Sequence, residues 1–110
     1  MAIRMTKPWL PLSSDTVDKL GGYLGVYQIQ SPDGDTIYVG SAGGHSLFGL
    51  RGELARELKT RGEGHRFRCE VNMQYTSRMQ ELLMVHVADH GELPRDNRGM
   101  RLTLGRLSPA

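Results

Sequence analysis

The feature that most constrains this chain is Ser31-Pro32-Asp33-Gly34, which stands between two runs of strand-forming residues, 23–30 and 36–41. Ser first, Pro second, Asp third and Gly fourth suit a type I turn, so the segment predicts a β-hairpin. A four-residue loop makes Gln30 and Asp35 the closing pair. Counting back sets Ile29 against Thr36, Gln28 against Ile37, and Tyr27 directly opposite Tyr38. Directly opposed residues share a face, with Cβ atoms about 5 Å apart. A slip of one residue would send the two phenols to opposite faces. Two readings of the pair stand: cross-strand aromatic packing, or two halves of one chemical site. Gly25 and Gly40 weigh toward the second, because a strand glycine often marks the close approach of a ligand or another backbone.

Around the hairpin the chain predicts one α+β domain. Residues 1–12 hold two prolines and no periodicity, and are expected to form an N-terminal arm. Ser13-Ser14-Asp15 offers caps for a short helix that Gly21-Gly22 ends. A second helix is expected to open at Ser46-Leu47-Phe48 and run to about Lys59. Phe67, Cys69, Val71 and Met73 alternate with Arg66, Arg68, Glu70 and Asn72, the pattern of a half-buried strand. Ser77-Arg78-Met79-Gln80 matches a capping box, and the helix it predicts runs to His90, closed by Gly91 and Pro94. The domain is expected over residues 13–97, followed by a basic tail at 98–110. One domain is also what 110 residues allow.

Charge and cysteine usage exclude several function classes. A net charge of +2 is too mild to mark a nucleic-acid binder by itself, although arginine, which forks onto phosphate, carries much of it. Cys69 is the only cysteine, which excludes an internal disulfide and a cysteine-based zinc site. No apolar run approaches the roughly 18 residues of a membrane span, and the first residues are too short in apolar content for a signal peptide. A reducing, cytoplasmic compartment is the expectation.

Two charged residues fall where apolar ones are expected. On a wheel of about 100° per residue, Leu47, Leu50, Leu54 and Leu58 form one stripe, and Arg51 falls within it. A guanidinium there needs an acceptor or a cleft, so Arg51 is either a snorkelling or ion-paired residue or a phosphate clamp. Glu81 stands among Val85 and Ala88 in the last helix, which is apolar nearly all round and predicts burial. A buried carboxylate must be neutral, paired with a cation or bound to a metal. His86 and His90 have the i, i+4 spacing of a zinc pair. They lie opposite Glu81 with no further ligand set, and read as hydrogen-bonded residues near the core.

Taken together, Gly25-Val26-Tyr27, Tyr38-Val39-Gly40, Arg51 in the next helix, Glu81 in a later one and Asn97 after a proline resemble the GIY-YIG nuclease family. The match covers residues 20–97 in order, which is far more specific than either half-motif alone. The resemblance implies a three-stranded antiparallel sheet flanked by helices, and metal-dependent cleavage of a DNA phosphodiester. It implies that Tyr27 activates or positions the attacking water with Tyr38 in support, and that Arg51 steadies the phosphate. Mg²⁺ (or Mn²⁺) on Glu81 would stabilise the leaving oxygen, with Gly25, Gly40 and Asn97 on the substrate side. A chain this small has little room for a separate specificity domain, so the expectation is that it recognises DNA structure, acts with low sequence specificity, forms a homodimer, or relies on a partner protein for specificity. The alternatives are a GIY-YIG-like domain that binds nucleic acid without cutting it, and a structural or protein-interaction module in which the same residues form a buried polar network.

Overall fold

Every residue of the strand Gly25–Gln30 (β2) is buried, which places it at the centre of the fold. The computed structural model describes residues 4–44 and 46–98; the basic tail beyond Arg98, including Arg101 and Arg106, lies outside the described residues. In chain order the elements are Leu10–Pro11 (β1), Ser14–Asp18 (α1), β2, Thr36–Ala42 (β3), Gly49–Arg61 (α2), Arg66–Val71 (β4) and Tyr75–His90 (α3), then a 3-10 turn at Arg95–Asn97. The strands form one antiparallel sheet in the order β1-β4-β2-β3. The α+β class is as expected, with four strands rather than three.

The extra strand comes from the arm. Leu10 pairs with Phe67 and Pro11 with Arg66 at the outer edge of β4. Two residues leave no periodicity to read, and proline is tolerated there because an edge strand does not need its N–H. Met5 and Leu12 are buried as well, so the arm packs onto the domain.

The hairpin register differs from the turn count. Gln30 pairs with Thr36 around a five-residue loop, and a bulge at Ile37 then sets Ile29 against Tyr38 and Tyr27 against Gly40. The longer loop moves the register by one residue and the bulge by one more. Two steps restore the parity, so Tyr27 and Tyr38 still share a face, as diagonal rather than opposed neighbours.

The sheet is covered on both sides. Tyr27, Ile29 and Phe67 project toward α1 and α2 and join Leu12, Val17, Leu50 and Leu54 in one core. Val26 and Val39 project the other way onto Leu82 and Leu83 of α3, with Met5 from the arm. The motif tyrosines therefore lie on the α2 face and the last helix on the opposite one. Helix α3 begins at Tyr75 with no side-chain cap, so the box at Ser77 lies inside the helix, and Gly91 closes it in the left-handed conformation as expected. Its fully buried residues are Leu82 and Leu83, a narrower stripe than its apolar sequence predicts. Among the described residues no helix is long and apolar enough to cross a membrane.

Candidate functional site

The polar residues that meet the tyrosines come from positions the apolar stripe of α2 hides. The helix begins at Gly49, so Leu47 precedes it and is 79% exposed. Without Leu47 the stripe is centred on Leu50 and Leu54, and Glu57 lies only about 20° from Leu50 on the wheel, against about 100° for Arg51. Glu57 is accordingly buried and Arg51 exposed. The expectation for Arg51 is corrected: the charged residue among the leucines is the carboxylate of Glu57. Its seven-residue spacing from Leu50 was the signal available, together with Arg61 one turn on, the i, i+4 partner a core-facing glutamate needs.

Tyr27 is 1% exposed, and its hydroxyl donates to Glu57 Oε2 at 2.8 Å. Arg61 donates through Nε to Glu57 Oε1 at 2.8 Å and through Nη1 to Asp96 Oδ2 at 2.5 Å. Its guanidinium also covers the ring of Tyr38, with Cζ 5.3 Å from the centroid. The two phenol rings lie 6.0 Å apart at 47°. The result is a closed chain of contacts, Tyr27 to Glu57 to Arg61 to Asp96, which ties β2, α2 and the 3-10 turn together.

The electrostatics of this cluster follow from burial and the shared charges. Burial, then the charge of Glu57, pushes the Tyr27 hydroxyl far above the ordinary phenol range, and Tyr38 and Glu53 add to it. Tyr38 is raised by the same two causes, with Arg56 and Arg61 opposing them. Burial works against the charge of Arg61, but the hydrogen bonds to Asp96 and Glu57 outweigh it and hold the guanidinium above its usual value. Burial likewise pushes the Asp96 carboxyl up, and Arg61 and Arg95 bring it below its usual range. The arrangement suits Tyr27 to donating a hydrogen bond rather than to losing its proton.

The other sequence-derived site residues are dispersed. Arg51 is exposed and makes no ion pair among the described residues. Glu81 is on the far side of the sheet from Tyr27, and its side chain is 45% exposed rather than buried. It pairs with Arg78, which also grips Glu70 at 2.8 and 3.2 Å; Glu70 sits opposite Val26, on the α3 face. Burial tends to raise the Glu70 carboxyl, but Arg78 and Asn72 hold it below its usual range. Of the open alternatives for Glu81, pairing with a cation is the one seen, and Arg78 is the partner.

The glycines and Asn97 are engaged by the protein itself. A Cβ at Gly25 would collide with the Glu70 carbonyl, and one at Gly40 with the ring of Tyr27. Close approach explains both, but what approaches is a neighbouring strand and the cross-strand tyrosine. Asn97 is fully buried: Nδ2 donates to the Val39 carbonyl at 3.0 Å and Oδ1 accepts from the Val39 N–H at 2.8 Å. It acts as a clasp on the outer strand, β3.

A family model described as a domain of unknown function, DUF7508, matches residues 3–89. The chain belongs to this family. No curated protein matches it. In this DUF7508 domain the matched span contains Tyr27, Tyr38, Glu57 and Arg61, whereas Asp96 and Asn97 lie beyond it. Glu81, the residue that the GIY-YIG resemblance assigns to Mg²⁺, is paired with Arg78 here. Among the described residues no group of three or more His, Cys, Asp or Glu side chains is placed to hold a metal ion.

Proposed function

We propose that this domain is a GIY-YIG-like module that binds nucleic acid without cutting it. The observation that carries this reading is the commitment of the buried Tyr27 hydroxyl to Glu57, which withdraws that phenol from activating a water. Support for nucleic acid as the partner comes from the surface near the start of α2. Arg51 stands exposed and without an ion pair among the described residues, and Tyr23 and Phe48 are 62% and 67% exposed. The Tyr23 carbonyl accepts from Leu50 N–H at 2.9 Å, so the two aromatic segments are neighbours. Exposed aromatic faces beside an unpaired guanidinium are the elements of base stacking and phosphate contact. Phe48 holds φ at +62°, a conformation costly for a bulky residue, and such strain concentrates at working surfaces.

A hydrolytic reading, a metal-dependent DNA endonuclease or nickase, keeps one specific observation in its favour. Tyr38 is only half-buried, and Glu57, Arg56 and Arg61 lie near it with the charge types phosphodiester chemistry uses. One pair of assays separates the readings. Fluorescence anisotropy with single-stranded and duplex DNA across a salt series should give binding that weakens with log[salt], and Arg51→Ala should reduce the slope by about 1. Plasmid nicking with Mg²⁺ or Mn²⁺ should give no cleavage. Divalent-dependent nicking that Tyr27→Phe abolishes would establish the hydrolase instead. Absence of DNA affinity at every salt concentration would leave the protein-interaction module.

A further inference from the structure

The α3 face carries an arginine in the opposite situation from Arg61. Arg68 projects from β4 toward α3, half-withdrawn from water. Its Nε donates to Gln28 Oε1 at 2.6 Å, its Nη1 reaches the Lys7 carbonyl at 3.4 Å, and its Cζ lies 4.2 Å over the ring of Trp9. These three contacts are all neutral. Burial lowers its pKa with nothing opposing, whereas Arg4, Arg61 and Arg78 are each raised by carboxylates. A guanidinium fixed in orientation, partly desolvated and lacking an anion is preorganised for one.

Arg68 lines a cavity of about 140 Å³ together with Arg4, Gln28, Thr36, His86 and His90. A second cavity of about 430 Å³ shares Thr36, His86 and His90 and adds Arg95 and Arg98 to its wall. The two imidazoles stand between them, ring centroids 4.3 Å apart. Nδ1 of His86 lies 3.0 Å from the Glu92 carbonyl, which directs Nε2 of that ring elsewhere. Most acidic residues of the walls are already engaged. Asp89 takes both Nε and Nη2 of Arg4, and Glu92 takes Arg98, which leaves Asp35 on the outer wall.

We propose that these adjoining cavities form a binding site for a terminal phosphate carried on a nucleotide-sized body. The phosphate sits in the smaller cavity on Arg68, with the Thr36 hydroxyl and the two imidazoles around it. The body of the ligand occupies the larger one, whose volume falls in the range of small-molecule sites, about 300–1,000 Å³. A phosphate suits the site better than a carboxylate because donors approach from several elements, β3, β4 and α3, and three terminal oxygens accept them. The site is independent of the nucleic-acid reading of the α2 surface. The phosphate could belong to a free nucleotide or to the 5′ end of an oligonucleotide, and the chemistry recognised is the same.

Calorimetric titration of the full chain tests this, with adenosine 5′-monophosphate, adenosine, inorganic phosphate, and a short oligonucleotide with and without its 5′-phosphate. The monophosphate should bind saturably at one site, and adenosine at least about tenfold more weakly. Arg68→Gln should weaken binding by about tenfold or more, and His90→Gln, at an exposed position, by roughly three- to tenfold. His90→Gln and His86→Gln decide the matter should Arg68→Gln fail to fold. Preference for the 5′-phosphorylated oligonucleotide over the nucleotide assigns the ligand to nucleic-acid ends, and the reverse to free nucleotides. The proposal is overturned if no phosphate compound binds saturably, if adenosine binds as well as its monophosphate, or if the three variants bind as the wild type does.

Discussion

Two half-buried arginines on opposite faces of the sheet, Arg61 and Arg68, are held in opposite ways. On the α2 face the motif tyrosines meet Glu57, Arg61 and Asp96, and each charge has its partner within the network. On the α3 face Arg68 has only neutral partners and looks into a cavity beside two histidines. The network around the recognisable motif is thus closed around itself, and the surroundings of Arg68 are the ones left incomplete. A charge network that satisfies itself holds the fold together; a charge held without its counter-ion is set up for something that arrives later.

If the α2 network is structural, breaking it should cost the most. Glu57→Ala leaves Arg61 short of one carboxylate and the buried Tyr27 hydroxyl without an acceptor, at a cost of about 2–4 kcal/mol. For a domain near 100 residues that lowers Tm by roughly 10–20 °C, readable by calorimetry. Asn97→Ala unclasps Val39 and strands a buried N–H and carbonyl, costing about 2–3 kcal/mol. Tyr27→Phe removes one charge-assisted hydrogen bond and should cost about 1–2 kcal/mol. Arg68→Gln, which loses neutral contacts only, should cost no more than about 1 kcal/mol. Arg51→Ala and Glu81→Ala, both at exposed positions, should stay within about 0.5 kcal/mol of wild type. A large loss at Glu81 with none at Glu57 would reverse the comparison.

Acid should act on the ion pairs of both faces. The carboxyls of Glu70 and Asp96 are held below their usual ranges by Arg78 and by Arg61 with Arg95. A depressed folded pKa gives stability that is present above the unfolded value, about 4, and is lost as pH falls through the folded one. Melting temperature should therefore drop on acidification below about pH 4, and Asp96→Asn should flatten that drop. An unchanged pH profile in Asp96→Asn would remove Asp96 from the account.

The fold was largely readable because periodicity and turns report it directly. The central hairpin, the half-buried strand at Phe67 and Cys69, and the Ser13 cap at the start of α1 follow from local pattern. The hairpin register did not follow, because a bulge at Ile37 depends on how β3 settles against its neighbours rather than on the turn. Leu47 misled the reading of α2: as a letter it extends the apolar stripe, but the chain turns at Phe48 before the helix begins, and the stripe rotates toward Glu57. The site suffered for the same reason. Tyr27 and Tyr38 share a face as the sequence implies, whereas the partners that reach them are set by helix phase and by the 3-10 turn that delivers Asp96. A charged letter inside a stripe does not announce its burial, and Glu57 taken as a letter reads as solvated. Arg68 was equally hidden, since an arginine alternating with apolar residues in a strand reads as solvent-facing until a helix covers it.

The central claim is that the Tyr27 hydroxyl serves Glu57 rather than a substrate, and a double-mutant cycle reads that bond directly. Chemical denaturation of wild type, Tyr27→Phe, Glu57→Gln and the double variant should give a coupling energy of about 1 kcal/mol or more. Single costs that add to within about 0.3 kcal/mol would contradict the account, returning the phenol to the pool of groups free to act on a ligand.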